Sequence, residues 1–382
     1  MSDKPSTILF FSSFGNLRWG GQKSLYLLVR NIDRTLFSPL VSLPDEGEFA
    51  EQLHLDGIPF VVVPLTPLRL IRVIEIFKSV LRIKKIIQDH GVRLIHTDGP
   101  RNTFYAGLAA KLTQVPLVWH IRDSTRDFLD RFLFLLSSNI ILVSKVLQKR
   151  FNWTTSNEKF ITIYNGVNLK SFQQRQDDVL TLRTRYRVNE NSFVIGVVGR
   201  VEPLKGQLFL IEACGLIKDK LPDFHLIIAG EVTDSEYAKA CLNMADDLGI
   251  RDRVQFLGYQ DDIPGILSFL DLFVLPSLRE AFPRSVIEAM AMGKPVIVTS
   301  IGGSPESIES SVSGYVVPPG DPRALADYIL LIGIDKELRL RMGEAARARA
   351  HRMFSLENNV RQTENVYREI LNRQIKRVPT DE

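Results

Sequence analysis

Short apolar runs alternate along this chain with amphipathic segments of helical length, and the alternation occurs twice. In the first half, Thr7–Ser12, Pro39–Leu43, Phe60–Pro64, Leu94–Thr97, Leu117–His120, Ile140–Ser144 and Phe160–Ile163 predict strands. In the second half, Phe193–Val198, His225–Ala229, Val254–Leu257, Leu272–Leu275, Pro295–Thr299 and Gly314–Val317 do the same. Helical periodicity over Leu25–Asn31, Ile71–Gln88, Gln207–Ile217 and Tyr237–Leu248 separates several of them. Near-continuous apolar strands between helices are the pattern of parallel sheets covered on both faces. The prediction is an α/β fold of two Rossmann-like, doubly wound parallel-sheet domains facing a cleft. The polar, weakly patterned stretch Asn168–Asn191 is the linker candidate, placing one domain over 1–178 and the next over 179–355.

A length of 382 residues suits two domains. The two cysteines, Cys214 and Cys241, form no C-x-x-C, so neither a disulfide framework nor a thiolate zinc site is expected, and a reducing, cytoplasmic compartment is. No metal is expected either, because the six histidines are scattered without an H-x-H or H-x-x-x-H pair. Asp3, Lys4 and Pro5 precede a short apolar run, Ile8 to Phe11, which argues against a signal peptide. Phe132–Val143 is broken by Ser137, Ser138 and Asn139 and is too short to span a bilayer. Net charge is +7 over residues 1–178 and −3 over the rest. Much of the basic excess lies in Arg69, Arg72, Lys78, Arg82, Lys84 and Lys85, interleaved with Leu70, Ile71, Ile74, Phe77, Leu81 and Ile86. Such a helix is either the solvated face of a domain or a surface for an anionic leaflet, on the inner side of the cytoplasmic membrane. Nucleic acid is not expected, since no binding motif accompanies the charge.

Residues 277–305 carry the most chemistry. Pro283 suits a first helical turn, Gly293 the position past a helix end, and Val296-Ile297-Val298 a buried strand, so a helix is expected over 283–292. At its start the Arg284 and Ser285 N–H groups would be the donors to a phosphate. Glu288 lies roughly 7.5 Å further along the axis, a spacing that fits the span from a pyrophosphate to ribose hydroxyls. Glu280, on the preceding loop, would reach whatever lies beyond the phosphates. Spacing alone leaves a second reading open, in which Glu288 is a solvated helix residue and Glu280 only complements the helix dipole.

Three other places bear on the same ligand. Gly15 to Gln22 has the glycine spacing of a P-loop but lacks the Lys and Ser/Thr that should follow, and it also fails G-x-G-x-x-G. Gly199-Arg200 follows a strand and Lys205-Gly206 precedes a helix, offering two cations to a departing diphosphate. His120 ends a strand, and polar residues at strand carboxyl ends face the ligand crevice of an open α/β sheet.

Taken together these segments resemble the GT4-type retaining glycosyltransferases of the GT-B fold. The similarity rests on Glu280 to Glu288 as E-x7-E, Gly293-Lys294-Pro295-Val296, Gly302-Gly303-Ser304-Pro305-Glu306, the G-R-x(4)-K-G element from Gly199 to Gly206, and Tyr164-Asn165-Gly166-Val167-Asn168. Val254 to Tyr259 and the G-x-x-G-G loop at Gly20-Gly21 extend it over about residues 7–370. The resemblance implies transfer of a hexose from a nucleoside-diphosphate sugar to a hydroxyl of a glycan, lipid-linked or small-molecule acceptor, with retention and without cofactor or metal. It implies catalytic roles for His120, Glu280, Arg200 and Lys205. Donor contacts would come from Gly20, Gly21, Gly199, Gly258, Tyr259, Phe282, Pro283, Arg284, Ser285 and Glu288 in addition to Arg200, Lys205 and Glu280. Arg122 and Asp123 are the acceptor candidates, and 356–382, helical over about Leu356–Arg373, would cross back to the first domain. Gly230-Glu231-Val232 lacks the family's second glycine, and Arg284 stands where a small or apolar residue is usual. An epimerase or phosphorylase on the same fold, and a non-catalytic nucleotide-sugar-binding protein, are the competing functions.

Overall fold

The computed structural model describes residues 4–69, 72–155, 157–173 and 176–375. Two compact units are present, one made of Met1–Gly166 with Leu356–Glu382 and the other of Val167–Ser355. Each of the thirteen apolar runs read from the sequence forms a strand, with ends shifted by a residue or two.

In the first unit β1 (Ser6–Phe11), β2 (Phe37–Leu43), β3 (Phe60–Val62), β4 (Val92–Asp98), β5 (Leu117–Ile121), β6 (Asn139–Leu142) and β7 (Phe160–Thr162) form one sheet. Its order is β3-β2-β1-β4-β5-β6-β7, parallel throughout. Phe10 is in register with Val41 and His96, and His96 with Val118. Registered residues of a parallel sheet share a face, so these four side chains project the same way. Leu25 and Leu28 of helix Gly20–Asn31, Phe49 and Leu53 of helix Glu48–Leu55, and Val360, Tyr367 and Ile370 of helix Leu356–Ile375 cover that face in one core.

The second unit repeats the plan. β8 (Phe193–Val198), β9 (Phe224–Ala229), β10 (Val254–Gly258), β11 (Leu272–Leu275), β12 (Val296–Thr299) and β13 (Gly314–Val317) run in the order β10-β9-β8-β11-β12-β13. Ile195, Val197, Leu226, Ile228, Val274 and Ile297 pack with Leu210 and Ile211 of helix Gln207–Ile217. The strand order reverses between β1 and β4 in one sheet and between β8 and β11 in the other. Loops at the carboxyl ends of those strands therefore border the ligand crevice of each sheet.

Four expectations need correction. The division falls after Gly166, not near residue 178. Val167 already belongs to the second unit, its N–H donating to Phe354 O at 2.9 Å. Within the supposed linker, helix Gln176–Arg185 carries the buried Arg183, whose guanidinium donates to Phe269 O and Ser192 O and pairs with Asp271 at 2.9 Å. Polarity there reflected caps and backbone contacts, which hydrophobic periodicity does not register. The helix near residue 25 begins at Gly20, and the basic helix is Val73–Asp89, Leu70 and Ile71 lying outside the described residues. Finally, the helix after Glu280 is Arg284–Ala291, because Pro283 has extended backbone (φ −81°, ψ 111°) and occupies the cap.

Candidate functional site

In the second unit the chain leaves β8 at Gly199-Arg200 and makes a tight turn over Pro203–Lys205 before helix Gln207–Ile217. Gly206 closes that turn at φ +71°, and a Cβ there would lie 2.2 Å from Pro276 O. A side chain is thus excluded on both conformational and steric grounds. The close approach sets Lys205 beside the loop that leaves β11. Lys205 Nζ lies 2.5 Å from Glu280 Oε1, and Ser277 Oγ donates to the same oxygen at 2.9 Å. Gly302 (φ +53°) grips the Glu280 backbone from the other side, since its Cβ would sit 1.7 Å from Glu280 O. Gly303 N–H then donates to Ala281 O at 3.1 Å.

Arg200 is half exposed and pairs with Glu202 at 2.9 Å. An exposed pair of this kind is weak enough to exchange for a more highly charged anion. Glu288 faces back along its helix, where Arg284 Nη2 and Nε approach Oε1 at 3.0 and 3.2 Å. Arg284, which looked out of place in the sequence, fixes the second carboxylate of the pair. Gly258 ends β10 at φ +67°, and its carbonyl accepts from Gly230 N–H at 2.8 Å. Val232, where the second glycine is missing, forms an isolated bridge to Val201.

In the first unit, His120 and Arg122 leave β5 close to the glycine-started helix Gly20–Asn31, a Cβ on Gly21 lying 3.9 Å from Arg122 Cδ. Arg122 Nη2 is 3.1 Å from His120 Nδ1, and Nη1 donates to Asn165 Oδ1 at 3.2 Å. Asp123 behaves differently from Arg122. Its carboxylate accepts from Thr125 N–H at 2.8 Å and lies 3.5 Å from Arg150, so it organises its own turn. His120 Nε2 is buried with no hydrogen-bond partner among the described residues.

Residues 178–349 match the family described as Glycosyl transferases group 1, and residues 20–171 match Glycosyltransferase Family 4. The chain is a GT4-type glycosyltransferase. Among its curated relatives, N-acetyl-alpha-D-glucosaminyl L-malate synthase of Bacillus anthracis is 30% identical over 65% of this chain and 64% of that protein. The UDP-Gal:alpha-D-GlcNAc-diphosphoundecaprenol alpha-1,3-galactosyltransferase of Escherichia coli is 26% identical over 85% of this chain and 87% of its own. Among solved structures, Anabaena Alr3699/HepE in complex with UDP and glucose is 27% identical with a TM-score of 0.81, covering 94% of this chain and 98% of that one. A glycosyltransferase from Rickettsia africae, 24% identical over 96% of this chain and 99% of that one, shares the fold with a TM-score of 0.87.

Sequence reasoning about this glycosyltransferase missed Ser277, Glu202, His96 and Tyr367. A polar residue at the centre of an apolar strand was the available signal for His96. None marked Tyr367, one more aromatic in an amphipathic helix.

Burial, followed by the charge of Arg122, holds His96 and His120 well below the ordinary histidine range. The unfolded chain would protonate both near pH 6.5 while the folded one does not, so the unfolded state binds more protons as pH falls. Their stabilising contribution is therefore complete above that pH and is lost below it, by at most about 1.4 kcal/mol per pH unit for each ring. Asp98, pushed up by burial, acts with the opposite sign. Urea unfolding of wild type at about pH 7.5 and 5.5 should show lower stability at the acid value, and His96→Gln a smaller loss. An equal or larger loss in the variant would contradict the assignment.

Proposed function

We propose that this glycosyltransferase is a retaining enzyme that moves a hexose from a uridine diphosphate sugar to a hydroxyl of a glycan or lipid-linked acceptor, without a metal ion. The observation that carries the reading is the Lys205–Glu280 contact, a cation and a carboxylate held together by glycines at the reversal point of the second sheet. Arg200 and Lys205 receive the diphosphate, whose charge grows as its bond to the anomeric carbon breaks. Glu280 keeps its second oxygen for a hydroxyl of the donor sugar, and Glu288 takes the ribose hydroxyls. Arg284 and Ser285 N–H groups, with Gly199, Gly258, Tyr259 and Phe282, complete the nucleotide contacts, and Pro283 contributes shape because it has no N–H. The acceptor oxygen bonds to the anomeric carbon on the face the diphosphate leaves, and its proton passes to the departing phosphate oxygen.

On this reading the second unit holds the nucleotide and the first the acceptor. His120 gives its Nε2 hydrogen to the donor sugar, with Gly20 and Gly21 close to the donor. The Arg122 guanidinium is already committed to His120 and Asn165, so acceptor contacts would fall to Asp123 more than to Arg122. Support for uridine comes from the UDP of the Anabaena complex and the UDP-Gal of the E. coli enzyme's name. Support for a lipid-linked acceptor comes from the second of these. Incubation with a set of nucleoside-diphosphate hexoses, with and without undecaprenyl-diphosphate-linked sugar, should give a glycosylated lipid only with acceptor and a uridine donor. Turnover should survive chelator, and loss of turnover restored by manganese would replace the two-cation reading with a metal site.

The same reading places the enzyme peripherally on the inner membrane face. Among the described residues no helix is long and apolar enough to cross a membrane. Helix Val73–Asp89 exposes Val73, Ile74, Phe77 and Leu81 on the element that carries Lys78 and Lys84. Arg72, Arg82 and Lys85 are partly engaged with Glu75, Val62 O and Asp89. Co-sedimentation should rise with the anionic lipid content of vesicles and weaken with salt. Equal binding to neutral vesicles would take the charge out of the interaction, and no binding would leave this helix a solvated face.

A further inference from the structure

The hydrogen bonds around His120 continue through the first unit to the C-terminal helix, and their direction is fixed by chemistry. Arginine has no acceptor, so Arg122 Nη2, 3.1 Å away, must donate to His120 Nδ1. A neutral His120 therefore carries its hydrogen on Nε2. His96 Nε2 lies 3.3 Å from the same Nδ1 and must also donate, which leaves His96 Nδ1 as an acceptor. Tyr367 OH, 2.6 Å from His96 Nδ1, supplies that hydrogen. The sheet explains how the rings meet. His120 is in register with Asp98, two residues after His96 on the next strand, so the two histidines are diagonal neighbours on one face. Tyr367 is fully buried against Phe10 and Phe37, at ring centroid distances of 6.3 and 5.7 Å, so its hydroxyl is held over His96.

We propose that His96 and Tyr367 are positioning residues that, together with Arg122, hold His120 in the tautomer with its hydrogen on Nε2. The proposal rests on the assignment of His120 to the donor sugar. It adds that two residues remote from the substrate reinforce the arrangement Arg122 sets, in which His120 meets a sugar hydroxyl as a donor. Burial supports the same picture, since both rings stay neutral and the Tyr367 hydroxyl, its pKa raised, keeps its proton. A chain of donors fixed at one end by Arg122 and at the other by Tyr367 leaves each ring a single arrangement without two lone pairs or two hydrogens in conflict.

Nitrogen-15 histidine spectra of the full-length protein, without substrate, test this directly. The expected result is a neutral His120 with Nδ1 unprotonated and Nε2 protonated, and a neutral His96 of the same tautomer. A cationic His120, or one with its hydrogen on Nδ1, would overturn the proposal whatever the donor contacts prove to be. In Tyr367→Phe and His96→Leu, where Arg122 alone would hold the ring, His120 should show a partly mixed tautomer, with kcat down about tenfold and donor KM changed less than about twofold. His96→Gln retains an N–H donor and should recover most of kcat. An unchanged tautomer and kcat in folded Tyr367→Phe and His96→Leu would reduce both residues to packing. His120→Ala with undiminished turnover would instead remove the sugar contact assigned to His120 while the spectra still decide the tautomer.

Discussion

Arg200→Ala and Lys205→Ala should each lower turnover by about a hundredfold, because a preorganised charge at a developing anion contributes on the order of 3 kcal/mol to transition-state stabilisation. The two variants should differ in their side effects. Arg200 is half exposed and, among the described residues, its side chain pairs with Glu202, so its removal should leave folding stability almost unchanged. Lys205 is mostly buried against Glu280. Its truncation strands a carboxylate still bonded to Ser277, and a modest loss of thermal stability should accompany the kinetic loss. Steady-state kinetics at saturating donor, with thermal melts of the same samples, checks both. Wild-type turnover in either variant would remove it from the leaving-group site.

Glu288→Gln should weaken nucleoside-diphosphate binding, while Glu280→Gln should reduce turnover and leave the nucleotide affinity nearly intact. The neutral amide at 288 keeps length and helix propensity but loses charge-assisted bonds to ribose hydroxyls, and with them the pair to Arg284 at 3.0 Å. At 280 the proposed partner is the sugar, whose bonds would matter most while the glycosidic linkage is breaking. Calorimetric titration with UDP and turnover with the full donor separate the two. The opposite pattern, with the nucleotide lost at 280 and kept at 288, would reverse the roles.

Strand positions were readable from the sequence because strands buried on both faces have almost no polar interruption, as in Phe273-Val274-Leu275 and Val296-Ile297-Val298. The packing around Glu280 was readable for a related reason. Gly206 and Gly302 approach backbone oxygens too closely for any other residue, and that constraint writes itself into the sequence. What the sequence concealed depends on pairing at long range. Tyr367 meets His96 across 271 positions, and Asn359 donates to Tyr164 O across 195. Nothing local to those residues distinguishes them from ordinary helix positions. The unit boundary was hidden in the same way, since Val167 declares its membership through bonds to Phe354.

The return of helix Leu356–Ile375 to the first unit also makes that unit depend on both ends of this sequence. Residues 167–355 form a continuous unit and have everything their sheet needs. The first unit has no Val360, Tyr367 or Ile370 to finish its core without that helix. Without it, His96 lacks the hydroxyl that satisfies its Nδ1. Completion of the first unit's core therefore depends on residues 356–375, and a chain truncated before residue 356 should leave that core open on one face while the second unit keeps all of its own residues.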